Sequence, residues 1–299
     1  MSVTQFSRIL IIYNPISGRR RKPLLDGVVG RLTAAGCTVD VSCTGKRGDA
    51  ERMAAEASPD RYDVIAVAGG DGTINEVLNG MTKTSLPLGL IPMGTANVLA
   101  AEIGLPVTAD AIAQTLLTGK RQPIDVGIAG TRRFVMMAGV GFDADVVQGI
   151  IPGLKRAVGK GAYVWQSLVE ILRYRPQRFR LTLDGIEYSA ASAVFANGHF
   201  YAGRFTCAPE ASLTDGKLHV CLFKTSGRLS VIRYGNALML GTLHKRRDIE
   251  IIPATRIRVD GEDGSPVHGD GDILAVTPLD IGIEPGGVEL IVPETFPAR

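Results

Sequence analysis

The run Gly69-Gly70-Asp71-Gly72-Thr73 follows an apolar stretch, Val64-Ile65-Ala66-Val67-Ala68, and precedes a helical pattern. A buried strand that ends in glycines and turns into a helix presents bare main-chain N–H groups at a helix N-terminus, where the helix dipole also favours anions. Glycines let a phosphate approach the main chain. Asp71, a carboxylate on this surface rim, is placed to hold a divalent cation against it. Thr73 and Glu76 have capping-box spacing, which marks a helix start. The same pattern also fits a plain capped strand-to-helix turn, so the loop alone names no reaction.

Several chemistries are excluded by what is missing. No GxxxxGK[ST] occurs, so this is not a P-loop nucleotidase, and the first strand-to-helix turn lacks the GxGxxG of a Rossmann dehydrogenase. There is no His-x-x-x-His zinc pair and no Gly-x-Ser-x-Gly elbow. What remains is an oxygen-rich, glycine-rich rim suited to Mg²⁺ and phosphate.

The elements that position this rim alternate. Ile9 to Tyr13 reads as a buried strand stopped by Asn14-Pro15, and Pro23 to Ala35 as a helix ended by Gly36. Thr38 to Cys43 is a second strand, Ala50 to Ala57 a second helix, and Leu88 to Ile91 a fourth strand cut by Pro92. Such alternation implies an open parallel α/β sheet, whose ligands bind outside the carboxyl ends of the strands. Asn14, Gly69 to Thr73 and Gly94-Thr95 all follow strands and belong on one rim.

After about Asp125 the period shortens. Phe179, Leu181 and Leu183 alternate with polar residues before an Asp184-Gly185 hairpin turn, and Leu218, Val220 and Leu222 alternate with His219, Cys221 and Phe223. Ile257 and Val259 alternate with Arg256 and Arg258. This half reads as a mostly antiparallel β-sandwich. A helical insert over Lys160 to Arg173, carrying Tyr163, Trp165, Leu168 and Leu172, reads as core packing or as the wall of a lipid pocket beside Arg173, Arg175 and Arg178.

At 299 residues, two domains are the natural expectation, and 45% hydrophobic with 21% charged residues is ordinary for a globular chain. No apolar run approaches the roughly 18 residues of a membrane span, and the N-terminus lacks a signal-peptide layout, which reads as a cytoplasmic protein. Cys37, Cys43, Cys207 and Cys221 show no metal spacing and read as reduced thiols. A net charge of +3 is too small to argue for nucleic acid, but Arg19-Arg20-Arg21-Lys22 and His244-Lys245-Arg246-Arg247 cluster it. Such runs are either solvated loops or attractors of polyphosphate and anionic headgroups.

Three loops taken together carry a resemblance. Asn14-Pro15-Ile16-Ser17-Gly18, Gly69-Gly70-Asp71-Gly72-Thr73-Ile74-Asn75-Glu76 and Pro92-Met93-Gly94-Thr95-Ala96-Asn97 resemble the signature loops of the diacylglycerol kinase catalytic domain. That superfamily includes sphingosine and ceramide kinases, and this chain is similar to its short bacterial branch. The resemblance continues through Ile124-Asp125-Val126-Gly127, Gly141-Phe142-Asp143-Ala144, Leu213-Thr214-Asp215-Gly216-Lys217-Leu218 and a tail containing Asp270-Gly271-Asp272.

It implies an ATP-binding α/β domain over residues 1–125, a β-rich lipid-substrate domain over 126–286, a tail of 287–299 packing back on the first, and an active site in the cleft between the two. It also implies an ATP- and Mg²⁺-dependent kinase that phosphorylates a lipid hydroxyl, with diacylglycerol giving phosphatidic acid as the default. Carried over, Asn14, Pro15, Ile16, Ser17, Gly18, Thr44, Gly70, Asp71, Gly72, Thr73, Ile74, Asn75 and Thr95 line the ATP site. Asp71 and Asp125 organise the catalytic Mg²⁺. Asp215 and the carbonyls of Ser212 and Lys217 hold a second, structural Mg²⁺, although Asp215 also reads as a plain turn residue. Such an enzyme is expected at the inner face of the membrane, peripheral on an anionic surface, with no nucleic-acid partner; a homo-oligomer is compatible with the sequence.

Two departures stand out. Relatives often follow the GTxN motif with Asp and an aromatic, whereas Asn97 here precedes Val98-Leu99, leaving Glu102 as a substitute acid. The tail's usual Asp-Gly-Glu ends in the shorter Asp272. Asp260-Gly261-Glu262 matches that triplet by letter, but spacing to Thr277-Pro278-Leu279 favours Asp272 as general base, with Asp270 orienting it or touching the Mg²⁺ shell. Three alternatives stay open: a ceramide- or sphingosine-type kinase, an NAD-kinase-like soluble phosphotransferase, and a non-catalytic lipid- or nucleotide-binding regulator.

Overall fold

The computed structural model describes residues 6–17, 21–142, 144, 177–261 and 264–296. Gly18, Arg19, Arg20, Asp143, the helical insert at Lys160 to Arg173, Arg175 and Glu262 lie outside the described residues. The chain forms two compact units, Met1–Ile124 with Gly286–Arg299, and Asp125–Pro285.

The first unit is a parallel α/β sheet. Strands β1 (Arg8–Tyr13), β2 (Thr38–Cys43), β3 (Val64–Gly69) and β4 (Leu88–Pro92) lie in the order β2-β1-β3-β4. Every residue of β3 and β4 is buried, as an apolar run covered on both faces requires. Helices α1 (Lys22–Ala34), α2 (Asp49–Ala55), α3 (Asp71–Gly80), α4 (Val98–Glu102) and α5 (Ala109–Thr118) connect the strands. A Cβ on Gly80 would come within 2.1 Å of Glu51 O, so glycine lets α3 lie tight against α2. Strand order reverses between β1 and β3. That is the switch point at which open α/β sheets leave a crevice beyond the strands' carboxyl ends.

The second unit is antiparallel. One sheet runs β14-β13-β10-β7-β16-β17, from β7 (Met137–Val140), β10 (Ser192–Ala196), β13 (Leu218–Phe223), β14 (Ile249–Ala254), β16 (Pro266–Gly269) and β17 (Asp272–Val276). The other joins β8 (Phe179–Leu183), β9 (Ile186–Ala190), β15 (Arg256–Asp260) and the first part of β18 (Leu279–Val292). Strand β5 (Lys120–Ala129) pairs with β6 (Arg132–Phe134). Among the described residues the unit also has a short hairpin, β11 (Phe200–Tyr201) with β12 (Phe205–Thr206), and a helix, α6 (Arg228–Met239).

The core between these faces collects Phe134, Phe179, Leu181, Leu183, Phe195, Val220, Leu222, Val259 and Ile281. The alternation read along β8 and β15 is the one observed. Strand β13 departs from it: His219 and Cys221 are buried along with Leu218, Val220 and Leu222. The face expected to meet solvent is covered, with Cys207 Sγ 3.5 Å from Cys221 Sγ. Among the described residues no helix is long and apolar enough to cross a membrane.

Candidate active site

In the first unit, four loops at the carboxyl edge of the sheet are tied together by side chains from the expected motifs. Asn14 is the first tie. Its N–H donates to Ala68 O at 2.9 Å, its Oδ1 accepts from the N–H of Ile16 (3.0 Å) and Ser17 (3.4 Å), and its Nδ2 donates to Thr73 Oγ1 at 2.9 Å. The loop after β1 is thereby curled and pinned to the first turn of α3, with Ile16 54% exposed.

Asp71 is the second tie. Its Oδ2 accepts from Asn97 N–H at 3.0 Å and its Oδ1 from Val98 N–H at 2.7 Å, so it satisfies orphan donors at the start of α4. Asn97 takes a left-handed φ of 49° and donates from Nδ2 to Gly94 O at 2.9 Å. Between these loops the backbones touch. A Cβ on Gly94 would lie 2.6 Å from Gly70 Cα, and one on Gly70 would lie 3.2 Å from Gly94 Cα. Both glycines are required by that approach. Arg21 donates to Pro92 O at 3.0 Å, adding a guanidinium to the end of β4.

The capping box is not formed. Helix α3 begins at Asp71 with Gly70 as its N-cap and no side-chain cap. Thr73 instead receives Asn14, and Glu76 Oε2 accepts from Gly48 N–H at 3.1 Å across to the loop after β2. Both side chains therefore serve contacts distant in sequence rather than their own helix end. That third loop is braced further by Asp49, whose Oδ2 accepts from Gly45 and Lys46 N–H at 2.9 and 3.0 Å. The Gly45 bond, then the Lys46 bond, hold the Asp49 carboxyl below its ordinary range. Thr44 is buried and donates its N–H to Tyr13 O. Thr95 is exposed, Gly72 lies in the first turn of α3, Pro15 in the curled turn, and the side chains of Ile74 and Asn75 are buried. Any contact of the last two with a ligand is left to their main chain.

The second unit gathers the remaining expected residues around two turns. At the first, buried Asp125 donates its N–H to Leu213 O at 2.6 Å and accepts from Gly216 N–H at 2.7 Å on Oδ2. Asp215 accepts from Lys217 N–H at 3.1 Å on Oδ1, and its Oδ2 is 2.8 Å from His219 Nε2. Asp215 N–H donates to Ser212 O at 3.3 Å. No group of three or more His, Cys, Asp or Glu side chains is found together among the described residues. A turn of one carboxylate with neighbouring carbonyls is nonetheless the all-oxygen donor set a hard cation accepts, and an imidazole behind that carboxylate orients it. The residues present thus fit Mg²⁺.

At the second turn, Asp270 and Gly271 have φ values of 51° and 85° and link β16 to β17 as a two-residue hairpin loop. The Asp270 carboxylate accepts three main-chain bonds, from Val135 (2.7 Å), Met136 (2.9 Å) and Met137 (3.1 Å). It fixes the turn, and Asp272, the first residue of β17, is half-buried beside it. Sequence reasoning missed Asn197. Fully buried, it donates from Nδ2 to Asp125 O and Val135 O, both at 2.7 Å, and so links the two turns. Its only signal was Asn-Gly after a strand, which reads as an ordinary turn.

The chain thus joins a parallel α/β unit with glycine-rich loops at its switch point to a β-sandwich bearing buried and half-buried carboxylates. Residues 8–129 match the diacylglycerol kinase catalytic domain, and residues 136–292 match the YegS C-terminal NAD kinase beta sandwich-like domain. A diacylglycerol kinase of Bacillus subtilis is 31% identical over 278 residues, covering 91% of each chain. One from Mycobacterium tuberculosis is 29% identical over 97% of this chain and 96% of its own. A YegS-like lipid kinase of Pseudomonas putida is 30% identical over 90% of each. A crystal structure of a diacylglycerol kinase from Bacillus anthracis superposes with a TM-score of 0.79 at 26% identity, over 97% of this chain and 99% of that one. The chain belongs to the diacylglycerol kinase catalytic-domain family, among its bacterial members, and is an enzyme of the lipid-kinase class.

Proposed function

We propose that this enzyme transfers the γ-phosphoryl group of ATP to the free hydroxyl of diacylglycerol, giving phosphatidic acid and ADP, with Mg²⁺ required. The observation that carries the reading is the pair of ties Asn14–Thr73 and Asp71–Asn97, which hold main-chain loops together at a sheet switch point. Phosphoryl transfer needs chiefly such positioning and charge neutralisation. The names of the relatives favour diacylglycerol over ceramide or sphingosine.

In this reading residues 1–125 take the nucleotide and 126–286 the acceptor. Asn14 to Gly18, Thr44, Gly70 to Asn75 and Thr95 receive the nucleotide. Asp71 and Asp125 would hold the catalytic Mg²⁺, which neutralises phosphate charge when bound, and Asp215 with the Ser212 and Lys217 carbonyls would hold a structural one. Asp272 takes the proton of the attacking hydroxyl, and Asp270 orients it or touches the Mg²⁺ shell. The enzyme works at the inner face of the membrane as a peripheral protein.

The test is incubation of the pure protein with labelled ATP, Mg²⁺ and a mixed lipid extract, and separately with NAD. Labelled phosphatidic acid is the expected product. Labelling of NAD alone would favour the soluble phosphotransferase suggested by the sandwich's likeness to NAD kinase. Nucleotide binding without any labelled acceptor would favour a regulator.

A further inference from the structure

The stretch from Lys224 to Arg247 contains no aspartate or glutamate and carries Lys224, Arg228, Arg233, Lys245, Arg246 and Arg247. The helix within it, α6, is oriented unusually. Its buried side is formed by Ser230, Tyr234 and Ala237 at helical spacing. Tyr234 anchors it, standing edge-on to Phe223 at 5.0 Å between ring centroids, with its hydroxyl on the Thr225 side chain. The outward side carries large apolar side chains beside exposed Arg233 and Asn236, where a surface helix is normally polar throughout. Leu229 is 76% exposed, Ile232 44%, Met239 69% and Leu240 77%. These are four of the ten large apolar side chains exposed among the described residues, and Phe205 of β12, which contacts the same helix, is a fifth. Single exposed leucines need no explanation, but a cluster on one helix face does.

The acids that follow this stretch are already engaged. Asp248 is bonded to Arg246 at 2.9 Å, and Glu250 lies 2.6 Å from Lys224. Arg233 bonds to Leu229 O and Ser230 Oγ, neither of them acidic. Lys245 and Arg247 stand exposed next to the apolar residues. Pairing this face with the same face of a second copy would set cations against cations.

We propose that the outer face of α6 and the turn over 240–247 form the surface by which this chain docks onto an anionic lipid bilayer. Leu229, Ile232, Met239 and Leu240 enter the boundary between headgroups and acyl chains, and Lys245 and Arg247 meet the lipid phosphates. An amphipathic helix with a basic margin binds membranes in this way, its strength set by buried apolar area plus attraction to anionic lipid. The inference rests on the lipid-kinase reading, since a bilayer substrate is what gives such docking a purpose.

Wild type, Leu229→Gln/Leu240→Gln and Lys245→Glu/Arg247→Glu are sedimented with phosphatidylcholine vesicles, with and without phosphatidylglycerol. Kinase rate is measured in parallel on diacylglycerol in detergent micelles. Wild type is expected to prefer the anionic vesicles and to be released by salt. The apolar double variant should lose about tenfold or more in partitioning, while its micelle rate stays within about twofold of wild type. The charge-reversed variant should lose the preference for anionic vesicles. Unchanged partitioning of both variants would overturn the proposal, and so would a wild-type dimer that the apolar variant dissociates. Vesicle binding that follows this pattern with no lipid phosphorylated by wild type would uphold the docking surface and overturn the lipid-kinase reading instead.

Discussion

Asp71 and Val98 are joined by a 2.7 Å bond from the Val98 N–H to the Asp71 carboxylate, so the acid at the head of α3 also caps α4. This bond, with its partner from Asn97, makes the rim carboxylate a structural clasp as well. Asp71→Ala is therefore expected to abolish lipid phosphorylation and also to lower stability by about 1–3 kcal/mol, the range for charge-assisted bonds to buried main chain. Asp71→Asn, which keeps an acceptor, should lose activity with a smaller stability loss. Urea unfolding alongside the kinase assay checks both. A variant that phosphorylates lipid at the wild-type rate would remove Asp71 from the chemistry.

For Asp272, replacement by Asn should lower the rate about 10² to 10⁴-fold, the usual cost of losing a general base, with ATP binding retained. Glu262→Gln should remain close to normal. Initial rates paired with calorimetric nucleotide titration decide the matter, and the reverse pattern would move the base to Glu262.

Asn197 serves two carbonyls at once. Asn197→Ala should destabilise the sandwich by about 2–4 kcal/mol, because both Asp125 O and Val135 O then lose a donor inside the fold. Thermal and urea melts measure this, and a change within the scatter of a surface substitution would contradict the assignment.

Acid should weaken the second unit in a defined window. The Arg246 guanidinium, first among its partners, holds the Asp248 carboxyl down to about 2 from an ordinary 3.8. A carboxyl with a lowered folded value contributes stability above about 3.8 that is lost as pH falls toward about 2. That contribution is at most about 1–2 kcal/mol. Asp248→Asn should lack it at neutral pH and show a shallower decline across the same window in urea midpoints measured against pH.

Much of the architecture could be read because local signals agreed with it. Each apolar run of β1, β3 and β4 ends in Asn-Pro, Gly-Gly or Pro, and the Asp184-Gly185 and Asp270-Gly271 turns carry the positive φ that such dipeptides tolerate. Contacts between residues distant in sequence could not be read. Thr73 and Glu76 look like a self-contained cap, yet they bind Asn14 and Gly48. Asp270 reads as a residue that orients the base or touches the Mg²⁺ shell, and its bonds to the main chain of Val135, Met136 and Met137 were not legible. His219 and Cys221 follow a period of two but sit on a strand covered from both sides. Spacing identifies residue types that gather, and the pairing partner is decided by the chain's return path.

That return path has a consequence during synthesis. The first unit gains its last strand only when the end of β18 arrives, with Leu290 pairing to Leu88 and Leu290, Ile291 and Val292 all buried. Until the ribosome has produced the whole sandwich, the open edge of β4 has no neighbour, and an unpaired edge of this apolar kind invites association with other chains. A nascent chain stalled before β18 should be bound by chaperones, with residues 88–92 accessible to protease, and release of the full-length chain should close that edge.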